Sequence, residues 1–365
     1  MIKILVGALT SEYGGIESLF YNIAQNIDKS KFHLDFLCIE EYAARAEEFE
    51  ACGSKIHYLH IPRKNFVAYM KDLDEIFSKN KYDIYHLNLT RYKPFADIKI
   101  AKKYGTRVII HSHLTGINKP PGIVETCLRY FEFYFCKPFA LYLSDYLVAC
   151  SSDAAGYLFN NRKCQIIYNG IEYEKFEFSL EGRRKIRNEF MLPDSTILVG
   201  NVGRLAMQKN HPYLLKIMFE LNKISDDFRL LLVGGGEEEG VLKNLVKEMN
   251  IQEKVIFTGF RKDINDMLSA MDLFLLPSIR EALPIALIEA QVNGLWCLIS
   301  DNITTEVDIG NVARMSTSVK PEIWAENIYK NLCDKRIERV KVCNQKFNNM
   351  KFIQEIERLY SRLVY

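Results

Sequence analysis

The sequence predicts an α/β protein built from two Rossmann-like, parallel-sheet domains, and three observations carry that reading. At 365 residues the chain is longer than one hydrophobic core usually serves. Apolar strand-like runs alternate with amphipathic helical stretches from Lys3 to Ile299, and continuous apolar strands separated by helices mean parallel strands covered on both faces. The alternation breaks once, at NGIEYEKFEFSLEGRRKIRNEF (169–190), which is polar, charged and turn-rich at its start and reads as an interdomain linker, and then restarts near residue 197.

In order, the first half offers strands at Lys3–Ala8, Leu34–Cys38, Lys55–His60, Ile84–Leu87, Val108–His111 and Tyr146–Ala149. Helical patterns at Ile16–Ile27, Ala43–Ala51, Asn65–Lys79 and Pro94–Tyr104 lie between them. The second half offers strands at Ile197–Val202, Arg229–Val233, Lys254–Thr258, Leu273–Leu276 and Leu295–Ile299. Its helices are Pro212–Ile224, Val241–Met249, Ile264–Ala270 and Ile285–Val292. Beyond Pro321 the pattern reads as helical to the end. Two tandem domains facing a central cleft are expected, with residues 1–168 and 169–345 as the domains and 346–365 as a helix returning to the first.

Composition removes several classes of function. A net charge of +2 gives no global field for a nucleic-acid partner. The nine cysteines form no CxxC or Cys/His ligand spacing, so they read as reduced, mostly buried thiols of a cytoplasmic protein. MIKILVGALTSEYGG has too short an apolar run for a signal peptide and reads as the first strand. The aromatic segment LRYFEFYFCKPFALYLSDYLVAC (128–150) carries Arg129, Glu132, Lys137 and Asp145, which a membrane-spanning helix would not, and is expected to be a helix and strand buried in the domain.

In parallel α/β sheets ligands bind beyond the carboxyl ends of the strands, and there the unusual residues collect. In GRLAMQKN (203–210), Gly203 permits a sharp turn off its strand, and Arg204 and Lys209 can neutralise a diphosphate, one as a fork and one as a point charge. LLLVGGGEEEG (230–240) fails as a dinucleotide fingerprint, because Glu239 stands at the third glycine position; its glycines suit clearance for a flat base or a tight turn. In TSEYGGIES (10–18), Gly14 and Gly15 precede a helix and could bring backbone NH groups to an anion or a sugar hydroxyl, or could simply make the turn. In HSHLTG (111–116), His111 and His113 occupy alternate positions and can share a side. As a metal pair they lack further ligands at recognisable spacing, so a cleft-lining or a structural histidine is the alternative. Asp72 and Asp74 form a DxD, but on a helical pattern, where solvated charge is the expected role.

The stretch REALPIALIEA (280–290) places Glu281 in a loop and Glu289 within a helix that Pro284 would start at its first position. Separated by roughly 10 Å along a helix axis, the two are too distant for a carboxylate dyad. They suit the two ends of one extended ligand, with backbone NH groups at Leu283 or Ile285 between them to meet phosphate.

YGGIE, the histidine loop, GRLAMQKN and EALPIALIE, in that order over essentially the full chain, resemble the retaining glycosyltransferases of family 4, the group 1 transferases of GT-B fold. The likeness is strongest to members that build bacterial capsule, exopolysaccharide or O-antigen repeats. The resemblance implies that Arg204 and Lys209 stabilise the donor diphosphate and the leaving group, that Glu281 contacts the donor sugar, and that Glu289 holds the ribose. It implies that His113, with His111 as second choice, sits by the transferred sugar. Gly15, preceded by Gly14, would lie at the phosphates or acceptor, Ala282, Leu283, Pro284 and Ile285 would line the donor, and Gly259, Phe260 and Arg261 would border the base. It also implies an acceptor-binding first domain, a nucleotide-sugar-binding second domain, and no metal or cofactor besides a UDP-sugar as substrate. The implied partner is a glycan or lipid-linked glycan, met in the cytoplasm with peripheral contact to the inner face of the membrane. Ala282 stands where the family commonly has Gly, and VNGLWCL, with Trp296, where it has a small residue followed by Gly-Pro-Val. Both departures bear on donor identity. The rival readings are a non-catalytic sugar-nucleotide-binding subunit and an NAD-dependent oxidoreductase, the latter opposed by the missing GxGxxG.

Overall fold

The computed structural model describes residues 1–11, 14–62, 64–89, 95–113, 122–160, 162–334 and 338–365, with backbone alone at 8, 89, 95, 124, 125, 128, 129 and 334. Residues 12–13 and 114–116 of the loops singled out above lie outside the described residues.

The chain forms two compact units, Met1–Gly170 together with Asn349–Tyr365, and Ile171–Asn348. Unit 1 holds a seven-stranded parallel sheet of β1 (Ile2–Leu9), β2 (Phe32–Cys38), β3 (Ile56–Tyr58), β4 (Ile84–Leu89), β5 (Arg107–Ser112), β6 (Tyr146–Ala149) and β7 (Gln165–Ile166), in the order 3-2-1-4-5-6-7. Unit 2 holds β8 (Ile197–Val202), β9 (Phe228–Val233), β10 (Val255–Gly259), β11 (Leu273–Leu276), β12 (Trp296–Ser300) and β13 (Val312–Met315), in the order 10-9-8-11-12-13. In both sheets the strand order reverses beside the first strand, between β1 and β4 and between β8 and β11, the switch points where such sheets bind ligands.

The cores follow from the apolar strands. Ile4, Val6, Phe36, Ile84 and Ile109 pack in unit 1 against Phe20 and Ile23 of the Gly15–Asn26 helix and Phe352, Ile356, Leu359 and Tyr360 of the Asn349–Val364 helix. In unit 2, Val199, Leu230, Leu273 and Leu298 pack against Leu214, Met218 and Leu221 of the His211–Ile224 helix and Trp324 of the Pro321–Tyr329 helix.

Three expectations need correction. Much of the turn-rich stretch 169–190 is helix, Tyr173–Phe176 and Leu180–Glu189. The second of these is fastened to unit 2 by Arg183 and Arg187 on Asp272 and by Lys185 on Asp266. Beyond Pro321 the chain is not continuously helical: after a π-helical turn at Lys330–Asp334, residues 338–346 carry no helix. Arg339 there donates to the carbonyls of Leu268, Ser269 and Met271, fastening this segment to the rest of unit 2. The segment 128–150 is less buried than its composition suggests. Tyr130, Phe131, Tyr134, Phe135, Phe139 and Tyr142 are exposed, because the stripe facing the unit is Lys137, Ala140 and Leu141. The outward rings stack on one another instead, Tyr130 on Tyr134 and Phe131 on Phe135. Strands β7 and β13 escaped the sequence reading, β7 for its brevity and β13 because VARM carries an arginine.

Candidate active site

Unit 2 positions its charged loops by backbone stitching at the β8/β11 switch point. Gly203 leaves β8 with φ +152°, a conformation that glycine alone takes readily, and a side chain there would crowd the Lys209 stem. Asn201 Nδ2 donates to the Leu275 carbonyl, Asn210 Nδ2 to the Pro277 carbonyl, and Ile279 N to the Gln208 carbonyl. The first bond ties β8 to β11, and the other two tie the loop after β8 to the loop after β11. Within that frame the Lys209 ammonium lies 2.8 Å from Glu281 Oε1, with both side chains nearly buried, and Ser278 Oγ donates to the same carboxylate oxygen at 2.8 Å.

The glycine run plays a part other than clearance for a base. Gly234, at φ +128°, and Gly236 have no room for a Cβ, since it would overlap the backbone of Gly203 and Leu205. Leu205 N donates to the Gly235 carbonyl, Glu238 N to the Leu205 carbonyl, and Gly234 N to the Gly259 carbonyl. The glycines therefore let three strand-end loops touch backbone to backbone. Glu237, next in the run, pairs with Arg204 Nε at 2.9 Å on the exposed side of the same loop.

Pro284 stands at the N-cap of the Ile285–Val292 helix, one residue ahead of its expected first-turn position, with ψ 91°; its carbonyl accepts from Leu287 N, leaving the Ile285 and Ala286 amides ahead of the first helical bond. Leu283 is buried under this turn and Ala282 half-buried beside Glu281. Glu289, half-buried one turn in, has no hydrogen-bond partner among the described residues, and burial pushes its carboxyl up to about 7. Gly259 turns at φ +66°, Phe260 stands exposed over Gly235, and the Arg261 guanidinium is held by Glu189 and Asp263. The Glu189 partner comes from the stretch read as a linker. Lys209, Glu281 and Ser278 thus form one cluster, while Arg204 points outward to Glu237 and Glu289 stands alone on its helix.

Unit 1 presents a different surface. Gly14 caps the Gly15–Asn26 helix, and its missing Cβ makes room for the Glu17 carboxylate, which accepts from Thr10 N and Thr10 Oγ1 at 3.1 and 2.7 Å. Gly15 faces open space. Beyond β5, the rings of His111 and His113 lie 4.0 Å apart, centroid to centroid. His111 Nδ1 is 3.1 Å from Nε2 of His86 on β4, and His86 Nδ1 is 2.8 Å from the Tyr360 hydroxyl on the last helix. Burial lowers His86 to about 3 and His113 to about 4, and takes His111 well below the ordinary imidazole value. All three rings are neutral at pH 7. Nε2 of His111, Nε2 of His113 and Oδ1 of Asn88 are buried without a partner among the described residues. Asn88 pairs in register with His111 across β4 and β5, and its Nδ2 donates to the Gly7 carbonyl on β1, so these atoms gather at the unit 1 switch point.

Sequence reasoning missed His86, Asn88, Tyr360, Ser278, Asn201 and Asn210. His86 and Asn88 alternate in IYHLNL and could have been found as polar residues inside an otherwise apolar strand. Tyr360 falls on the apolar stripe of its helix and carries no distinguishing signal. Asp72 and Asp74 pair with His60 and Lys103 near the surface, and among the described residues no group of three or more His, Cys, Asp or Glu could hold a metal ion.

Two Rossmann-type parallel sheets, each with polar residues gathered at the carboxyl ends of its strands near a switch point, are the domains of the GT-B fold. Two family models match the chain nearly end to end, Glycosyltransferase Family 4 over residues 13–175 and Glycosyl transferases group 1 over 182–322. The chain belongs to this family, glycosyltransferase family 4, whose members retain the anomeric configuration. It is 28% identical to EpsF of Bacillus subtilis, itself assigned as a glycosyltransferase, over 330 residues spanning 86% of this chain and 84% of EpsF. It is 36% identical over 143 residues to the Escherichia coli UDP-Gal:α-D-GlcNAc-diphosphoundecaprenol α-1,3-galactosyltransferase, a match spanning 38% of this chain and 37% of that one. The crystal structure of Anabaena HepE in complex with UDP-glucose superimposes with a TM-score of 0.81 at 16% identity, covering 99% of this chain and 100% of HepE.

Proposed function

We propose that the chain moves a sugar, with retention and without a metal ion, from a UDP-sugar to a hydroxyl of a growing, lipid-linked cell-surface glycan. The carrying observation is the Lys209–Glu281 pair, 2.8 Å apart and tied into two loops at the β8/β11 switch point. A buried ammonium in a preorganised frame is suited to the negative charge that develops on a departing diphosphate. Arg204 joins it when the phosphate draws its guanidinium from Glu237, a fork-shaped donor exchanging one anion for another. Together the two cations supply the electrostatic work a metal ion performs elsewhere.

Glu281, already oriented by Ser278 and Lys209, accepts from hydroxyls of the donor sugar; Glu289 accepts from the ribose pair, and the Ile285 and Ala286 amides meet phosphate between them. Phe260 and Gly259 border the base. As the bond from the anomeric carbon to the diphosphate breaks, the acceptor oxygen bonds that carbon on the same face and its proton passes to the departing phosphate oxygen. Unit 2 takes the nucleotide sugar in this reading, and unit 1, with Gly14, Gly15 and His113, takes the acceptor and the transferred sugar. UDP as nucleotide and a polyprenyl-diphosphate-linked acceptor are supported by the names of the HepE complex and the E. coli galactosyltransferase. A cytoplasmic location at the inner membrane face accords with such an acceptor, and among the described residues no helix is long and apolar enough to cross a membrane.

The test is nucleotide release and sugar transfer with a panel of UDP-sugars, run beside two substitutions. Glu281→Gln lowers turnover with UDP affinity retained, whereas Glu289→Gln weakens UDP binding about tenfold, near the value of a hydrogen bond to a charged group. If both variants showed only the same loss of UDP affinity, the division between sugar and ribose would be wrong.

A further inference from the structure

The three partnerless polar atoms at the end of β4 and β5 are backed by a line of buried groups that crosses the unit 1 core. Tyr360 Oη, His86 Nδ1, His86 Nε2 and His111 Nδ1 follow one another at 2.8 and 3.1 Å contacts, from the helix Asn349–Val364 through β4 to β5. The groups are fixed by packing: Phe20 and Tyr360 both meet the His86 ring edge to face, and the His111 ring stacks on it at 25°.

The line has one direction that leaves nothing unsatisfied. Among the described residues the Tyr360 hydroxyl has His86 as its hydrogen-bond partner, and it lies in an apolar core beside Phe32 and Leu359. A phenol donates one proton and accepts others, while a neutral imidazole has one N–H and one bare nitrogen. Were His86 Nδ1 to donate to Tyr360, the phenolic proton would be stranded in the core without an acceptor, the costly alternative for a buried polar group. With Tyr360 donating, His86 Nδ1 is bare and its proton resides on Nε2. That N–H donates to His111 Nδ1, which puts the His111 proton on Nε2, one of the buried atoms without a partner. Burial keeps the rings neutral, so the line transmits hydrogen-bond polarity and no charge.

We infer that Tyr360 and His86 are positioning residues that hold His111 as a neutral Nε2–H donor aimed at an oxygen of the transferred sugar. The inference rests on the reading that this strand end receives that sugar. It makes His111 the directed donor of the pair and gives the last helix a part in the site. The acceptor chemistry is a sugar hydroxyl or ring oxygen, a neutral group for which a neutral donor avoids burying charge.

Two-bond 1H–15N spectra of the full chain with 15N-labelled histidine decide the polarity without substrate. At pH 7, His86 and His111 are expected as neutral rings protonated on Nε2. In Tyr360→Phe, which keeps the ring that fills the core, His111 loses its single tautomer, and kcat falls by on the order of tenfold with the KM for the UDP-sugar unchanged. That scale follows the loss found when an outer hydrogen-bond partner of a functional histidine is removed. A wild-type His111 protonated on Nδ1 overturns the inference, as does a Tyr360→Phe chain with altered tautomer and unaltered kcat, or with lowered thermal stability alone. Absence of any transfer or nucleotide release from the wild type would remove the transferase reading instead, and the spectrum would still decide the direction of the line.

Discussion

The two switch points handle polarity in opposite ways. At β8/β11 the chain gathers formal charges, Lys209 with Glu281 and Arg204 with Glu237, and lets them neutralise one another until a ligand competes. At the ends of β4 and β5, beside the β1/β4 switch point, it gathers neutral groups, three depressed histidines, an asparagine and a tyrosine, and buries them. A diphosphate calls for the first arrangement and a sugar for the second. On the proposed reading the first surface meets the nucleotide diphosphate and the second the sugar.

The contrast is most easily broken at Lys209. Lys209→Ala is expected to cut transfer by on the order of 100-fold or more, the loss typical of removing a preorganised electrostatic stabiliser. Turnover within a few-fold of wild type would show that the charged cluster is structural.

Acid should separate the units next. His86 and His113 hold no proton in folded unit 1 until the pH nears 3 to 4, and burial takes His111 well below its ordinary value too, whereas the unfolded chain takes protons up below 6.5, so their contribution to stability declines as pH falls below 6.5. Asp97 runs the other way, raised by burial to about 6 from 3.8 and therefore stabilising as pH falls towards 4. Three histidines against one aspartate leave unit 1 with a net loss of stability as pH falls between 6 and 4. In unit 2, burial lowers His211 to about 4 and raises Glu289 to about 7, and the opposing slopes nearly cancel. Amide exchange compared at pH 6.5 and 4.5 should show β1, β4 and β5 deprotected before β8 and β11; equal loss in both sheets would contradict the buried neutral cluster.

The smallest effect sharpens the role of Arg204. Glu237→Gln removes the exposed carboxylate that competes for its guanidinium, and the KM for the UDP-sugar should fall about twofold to threefold, the scale of a surface ion pair. A raised KM would instead make Glu237 part of the donor site.

What could be read in advance tracks how local its cause is. Helix Ile285–Val292 was legible to the residue, because a proline and an apolar run define it within a dozen positions. The charged residues of the loops after β8 and β11 were legible because buried strands end beside them. Their pairing was not, since Lys209 and Glu281 meet only once β8, β11 and the loops after them are stitched by Asn201, Asn210 and Ile279. The aromatic run after residue 128 misled because hydrophobicity counts rings without saying which stripe of the helix faces the sheet. His86 and Tyr360 lie 274 positions apart, and no spacing rule connects them.

The order of the chain adds one more consequence to the placement of the Asn349–Val364 helix. Unit 1 begins the sequence but owns its last residues, whereas unit 2 is continuous from Ile171 to Asn348. During vectorial synthesis the second unit therefore has its entire sequence before the first does. Until then the first unit holds an open apolar furrow where Phe352, Ile356, Leu359 and Tyr360 will lie. A chain released early, without residues 349–365, would keep every charged group of the β8 and β11 loops and still lack the helix that closes the other core.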